Sequence, residues 1–219
     1  EVVAEKLFWE EIPAIYRVHE DPDKEKLKAL NETLVKFGFS IKNLDEIHPG
    51  KFQTIIDRTT GLPEGYLIHK LILRAMQRAR YANKNLGHFG LASKYYLHFT
   101  SPIRRYSDLV VHRMLGRSLE KFINDKDKSK YFGEFDVVAS AISRTERVAD
   151  KLEEDSVKIK LIEYMQDKIG KTYIARLSGM NKNKVFMELE NHIEVVYNVN
   201  VTRDHFVYDE ENFKIINTN

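Results

Sequence analysis

His98-Phe99-Thr100-Ser101-Pro102-Ile103-Arg104-Arg105-Tyr106 reads as a loop that enters a helix. Ser101 is a residue type that caps helix N-termini. Pro102 suits a first helical position, where its missing N–H has no partner to lose. Val110, Val111, Met114 and Leu115 follow at helical spacing, so a helix is expected over 102–123. Arg104 and Arg105 then fall in its first turn, where a cation opposes the macrodipole. A broken local rule marks a place to look for function. Backbone N–H groups at a helix start attract an anion, and a guanidinium grips phosphate through two parallel hydrogen bonds. The same spacing serves equally well for a surface salt bridge from Arg104 or Arg105 to Asp108.

The surroundings are strongly basic. Between Arg74 and Arg117 stand nine Lys and Arg residues and one acid, Asp108, a local charge of +8 in a chain whose net charge is +2. From Gly65 to Ser107 there is no Asp or Glu. Tyr81, Phe89, Tyr95, Tyr96, Phe99 and Tyr106 are interleaved with the cations. Cations neutralise phosphates and aromatic faces stack bases, so the window carries the footprint of single-stranded nucleic-acid binding. Core packing accounts for most of the same aromatics.

The run Arg80-Tyr81, Gly87-His88-Phe89-Gly90-Leu91-Ala92 and Tyr96 through Arg113 resembles the signature of the RNB family. Tyr16-Arg17-Val18-His19-Glu20 upstream and Arg144-Thr145-Glu146-Arg147 downstream also fit, so the resemblance extends over nearly the whole chain. It implies a processive 3′-to-5′ exoribonuclease that releases nucleoside 5′-monophosphates with the help of a divalent metal, Mg2+. Arg104 is the candidate catalytic residue, stabilising charge on the scissile phosphate. Thr100, Ser101, Arg105 and Tyr106 are the candidates that shape the RNA site around it. By the resemblance, Glu146 lies near the 3′ nucleotide, where a carboxylate accepts hydrogen bonds from ribose hydroxyls. Its neighbours also allow a weak ion pair with Arg147 along the same helix.

The family's metal-binding aspartate cluster is not reproduced by Asp21, Asp23, Asp45, Asp57 or Asp108. It is expected ahead of residue 1, so the 219 residues are expected to be part of a longer enzyme and inactive alone. His88, His98 and His112 do not have ligand spacing. The chain has no cysteine, hence no disulfide and no thiolate metal site. No apolar run approaches the ~20 residues of a membrane span. The residues before Pro13 do not read as a signal peptide. The expected setting is cytoplasmic and monomeric, with no membrane. The expected partners are single-stranded RNA and the 3′ end of structured RNA, with an RNA helicase as a further candidate. The alternative is a non-catalytic RNA-binding or protein-interaction fragment.

The fold class is α+β. Residues 1–168 are expected as the helix-rich C-terminal portion of an RNB catalytic domain, and 169–219 as an incomplete OB-fold, a partial β-barrel. Residues 1–11 read as a helix stopped by Pro13, and Ile12 to Val18 as a strand. His19-Glu20 at its end is more simply a structural hydrogen bond than an acid–base pair. Asp21-Pro22-Asp23 caps a helix that runs to Phe37, and Gly38 ends it. Helices are expected over 44–58 and 66–81, a charged loop over 124–130, and a long helix over 135–168. Val138 through Met165 form a narrow apolar stripe on that helix, most simply covered by a core. Strands follow over 173–177, 184–190 and 193–199. Asp209-Glu210-Glu211-Asn212-Phe213 also fits the resemblance.

Overall fold

The computed structural model describes residues 1–181 and 183–198, together with the backbone of 206–209 and 214–217. The chain divides into two compact units: residues 1–21 with 77–157, and residues 22–76 with 158–219.

In the first unit, helix α1 (Val2–Trp9) buries Ala4 and Leu7 and ends before Pro13. Strand β1 (Tyr16–Val18) pairs antiparallel with β2 (Arg80–Ala82), Arg17 standing opposite Tyr81. Tyr16 and Val18 are buried, and alternation turns the intervening Arg17 to the other face of the ribbon. Helix α5 (Tyr106–Leu119) closes the same core with Val110, Val111 and Met114. Phe135 and Ala139 complete it from helix α6 (Asp125–Gln166).

In the second unit, Asp23 caps α2 (Lys24–Lys36), its carboxylate accepting from the N–H groups of Glu25 and Lys26. Gly38 follows with φ 80, a left-handed turn that glycine adopts without strain. Pro49 opens α3 (Pro49–Thr59), and α4 (Gly65–Ala75) packs against strand β3 (Ala175–Met180). Strands β4 (Lys184–Leu189) and β5 (Glu194–Asn198) extend β3 into a three-stranded antiparallel sheet. β6 (Phe206–Asp209) and β7 (Lys214–Asn217) form a separate hairpin. The architecture is α+β, helix-rich first and strand-rich later. Of the Asp209–Phe213 match, residues 210–213 lie outside the described residues.

Several elements depart from the sequence expectation. The helix expected over 66–81 stops at Ala75, because 80–82 are drawn off as a strand edge for β1. The helix expected from Leu44 begins at Pro49, where proline is accepted. The charged loop at 124–130 is instead the first two turns of α6, which starts at Asp125 with Asp125 and Asp127 favourably placed at its N-terminus. The apolar stripe of α6 is covered only at its start: Phe135, Ala139 and Ser143 are buried, whereas Val148, Leu152, Ile159 and Ile162 are exposed. No described helix is long and apolar enough to cross a membrane.

Candidate functional site

The helix expected from Pro102 starts four residues later. The Ser101 carbonyl accepts from the N–H groups of Arg104 and Arg105, forming a tight turn. Arg105 is then extended (φ −126, ψ 116) and stands as the N-cap of α5. Ser101 is therefore not the cap of this helix; Arg105 stands at the N-cap itself, where its charge is balanced by Asp108.

Asp108 in the first turn meets the positive end of the helix. Its carboxylate is fully buried, 0% exposed. Oδ2 accepts from the Ser101 N–H at 2.8 Å and from Arg105 Nε and Nη2 at 3.1 and 2.8 Å. Oδ1 accepts from the Ser107 hydroxyl at 3.0 Å. Burial alone would raise its pKa, but these donors hold it below the ordinary carboxylate value. The expected salt bridge exists for Arg105, as a buried pair and not a surface one. Among the described residues no side chain caps the start of α5, and Asp108 places a negative charge beside it that opposes a second anion there.

The two arginines have separate tasks. Arg105 is tied to Asp108, whereas Arg104 is exposed and has no ion-pair or hydrogen-bond partner for its guanidinium among the described residues. A cleft of about 470 Å3 brings Arg104, Arg105, Tyr106 and Glu146 together with Tyr81. Thr100 is exposed and lines an adjoining cleft of about 400 Å3 with Tyr96, His98, Phe99 and Arg105. Ser101 lines neither and holds the loop through its backbone.

Glu146 does not pair along its helix. Its Oε2 accepts from Arg17 Nη1 at 2.6 Å, across from α6 to β1. The Arg17 guanidinium also sits 4.7 Å from the centroid of the Tyr81 ring. The Tyr81 hydroxyl lies 3.0 Å from His98 Nδ1. Burial, with Arg105 and Arg17 nearby, depresses the His98 pKa to about 4, so this ring is neutral at pH 7. Tyr81 stands among the aromatics of the basic window, whereas the sequence does not mark Arg17 or His98 as site residues. For Arg17 a signal was present: it is the one charge in the apolar run Ile12–Val18.

His19 and Glu20 do not form an acid–base pair. His19 Nδ1 accepts from the Gly90 N–H at 3.0 Å, and Glu20 pairs with Arg80. His19 Nε2 and His88 Nδ1 are buried without a hydrogen-bond partner, their rings edge to face at 5.1 Å. His88 is held below its ordinary pKa by burial and by His19.

The fit of these groups to a divalent cation is poor. Among the described residues no three His, Cys, Asp or Glu side chains stand close enough to hold a metal ion. Asp108 has its oxygens committed to donors and Glu146 is bound to Arg17. A Mg2+ ion is thus not assigned to this cleft.

The RNB domain model matches residues 1–121, and the chain belongs to the RNB family. Within it, the chain is similar to Ribonuclease R of Aquifex aeolicus, 39% identical over 218 residues, covering 99% of this chain and 31% of that protein. Ribonuclease R of Thermotoga maritima is 38% identical over 213 residues, covering 96% and 30%. Among solved structures, Mycoplasma genitalium RNase R in complex with ribose-methylated single-stranded RNA superposes with a TM-score of 0.89 at 28% identity. That match covers the whole of this chain and 35% of the other. The chain spans about a third of the length of these relatives.

Proposed function

We propose that the protein carrying this chain is a processive 3′-to-5′ exoribonuclease that hydrolyses RNA phosphodiester bonds to nucleoside 5′-monophosphates. The observation that carries the reading is the cleft in which the unpaired Arg104 guanidinium faces the same space as Glu146. Arg104 binds the scissile phosphate and stabilises the charge that grows on it. Arg105 holds the loop through Asp108. Glu146 receives a hydroxyl of the 3′-terminal ribose, and Tyr106, half exposed, walls the cleft. The described residues would not hold Mg2+; carboxylates elsewhere in the longer protein would have to, and the ion would there supply activation of water and stabilisation of the leaving oxygen. The similarity to Ribonuclease R supports this reading, as does the basic, aromatic-rich window. We also place the domain boundary at 168/169, the strands beyond it serving as an RNA-binding module. The proposed partners are single-stranded RNA and the 3′ end of structured RNA, and the proposed setting is the cytoplasm.

A second reading is a non-catalytic single-stranded RNA-binding module, favoured by the same local charge of +8. Incubation with 3′-labelled single-stranded RNA separates the two. The 219-residue chain is expected to bind without releasing nucleotide, with or without magnesium. Joined to a metal-binding RNB segment, it is expected to release labelled monophosphate only with magnesium. Release by the chain alone would overturn the placement of the metal ligands. Binding without release by the joined protein would leave the second reading.

A further inference from the structure

Glu146 is held from two sides. On α6, Ser143 lies one turn before it, and the Ser143 hydroxyl accepts from the Tyr81 N–H at 2.9 Å, fixing the helix to β2. At the carboxylate itself, Arg17 grips Oε2 at 2.6 Å. Arg17 is in turn fixed along its length. Its N–H donates to the Tyr96 carbonyl at 3.1 Å, its strand pairs with β2 on the other edge, and its guanidinium rests on the Tyr81 ring. Its side chain is only 15% exposed, against 30% for Glu146, so the cation lies behind the carboxylate and the carboxylate faces the cleft.

This arrangement leaves Glu146 Oε1 without a hydrogen-bond partner among the described residues, while Oε2 is anchored. A carboxylate with one anchored and one open oxygen is an oriented acceptor. A carboxylate beside a phosphate site is also a repulsive charge unless a cation balances it. Arg17 meets both needs at one contact.

We propose that Arg17 is the positioning residue that aims Glu146 at the hydroxyls of the terminal ribose and cancels its charge towards the incoming phosphate, and so sets the preference for ribose over deoxyribose ends. This rests on the reading of Glu146 as the ribose contact. Arg17 acts through Glu146 and does not itself touch RNA. A charge-assisted hydrogen bond oriented in this way is worth roughly tenfold in affinity.

The test measures binding of a single-stranded RNA oligomer and of the same oligomer with a 2′-deoxy 3′-terminal residue, by fluorescence anisotropy. Arg17→Met keeps the apolar stem against Tyr81 and removes the charge. It is expected to lower the ribose preference about tenfold. Arg17→Lys restores a cation and is expected to recover most of the preference, which a merely structural defect would not allow. Glu146→Ala, which removes the acceptor, separates the two levels. If the preference survives Glu146→Ala, or is absent in the unmodified protein, the ribose reading of Glu146 fails and the role of Arg17 with it. If it is lost in Glu146→Ala and kept in Arg17→Met, only the role of Arg17 is overturned. A melting curve for each variant, with loss of preference only where folding is lost, would also overturn it.

Discussion

Removal of the Asp108 carboxylate tests whether the guanidinium loop is built as described. Asp108→Ala deletes an acceptor that is 0% exposed and leaves Arg105, itself 21% exposed, facing no counter-charge. It also strips the Ser101 N–H and the Ser107 hydroxyl of their acceptor. Breaking a buried pair from one side costs about 3–5 kcal/mol, because the remaining ion stays desolvated. In a protein of this size each kcal/mol shifts the melting temperature by about 2–4 °C, so a fall of roughly 6–20 °C is expected. A surface pair at the same spacing would cost only about 0–1 kcal/mol. Urea unfolding of Asp108→Ala, Arg105→Met and the double variant gives the coupling. The double variant should be less damaging than the sum of the singles, since no unpaired ion remains. The contribution also has a pH signature. Asp108 is depressed below its ordinary 3.8 in the fold, so its stabilisation is present above that pH and is lost as pH falls through the lower, folded value. A loss under about 1 kcal/mol in Asp108→Ala, or singles that simply add, would refute the buried-pair account.

Arg104→Ala should slow nucleotide release by the complete enzyme about 100-fold or more, the scale of removing a transition-state donor. Its melting temperature should stay unchanged, because the side chain is exposed and unpaired; rates within a few fold of the parent would remove Arg104 from the chemistry. The same substitution should reduce the slope of log affinity against log salt by about 0.7, one phosphate contact to a single strand, in a titration with single-stranded RNA. His98 titrates near 6.5 unfolded and about 4 folded, so the unfolded chain binds the extra proton between those values and stability falls as pH drops from 6.5 towards 4. Scaled down for its partial exposure, the loss is about 1–2 kcal/mol by urea unfolding, and His98→Gln should flatten it. Gly90→Ala would set a Cβ 2.7 Å from His19 Nδ1, so a loss of about 1–3 kcal/mol is expected in the same assay.

What was legible in the sequence was mostly local. Asp23 capped its helix and Gly38 ended it because cap and turn chemistry act within a few residues. Arg104, Arg105 and Tyr106 of the basic window line one cleft with Glu146. The errors fell where a distant partner overrode a local signal. Ser101-Pro102 has the chemistry of a helix start, yet the buried Asp108 takes the Ser101 N–H and draws the loop into a turn. Residues 80–82 continue a helical pattern, yet β1 claims them as a strand edge. Arg17 and Glu146 are 129 residues apart, and no periodicity links a lone cation in an apolar run to a carboxylate on a distant helix. The α6 stripe shows the complementary limit. Period 3.6 reports which residues share a face, but cover requires another element, and past Glu146 that face is open among the described residues. Sequence pattern thus pointed to Arg104, Arg105 and Tyr106, which line one cleft, while the contact of Arg17 with Glu146 came only with the tertiary structure.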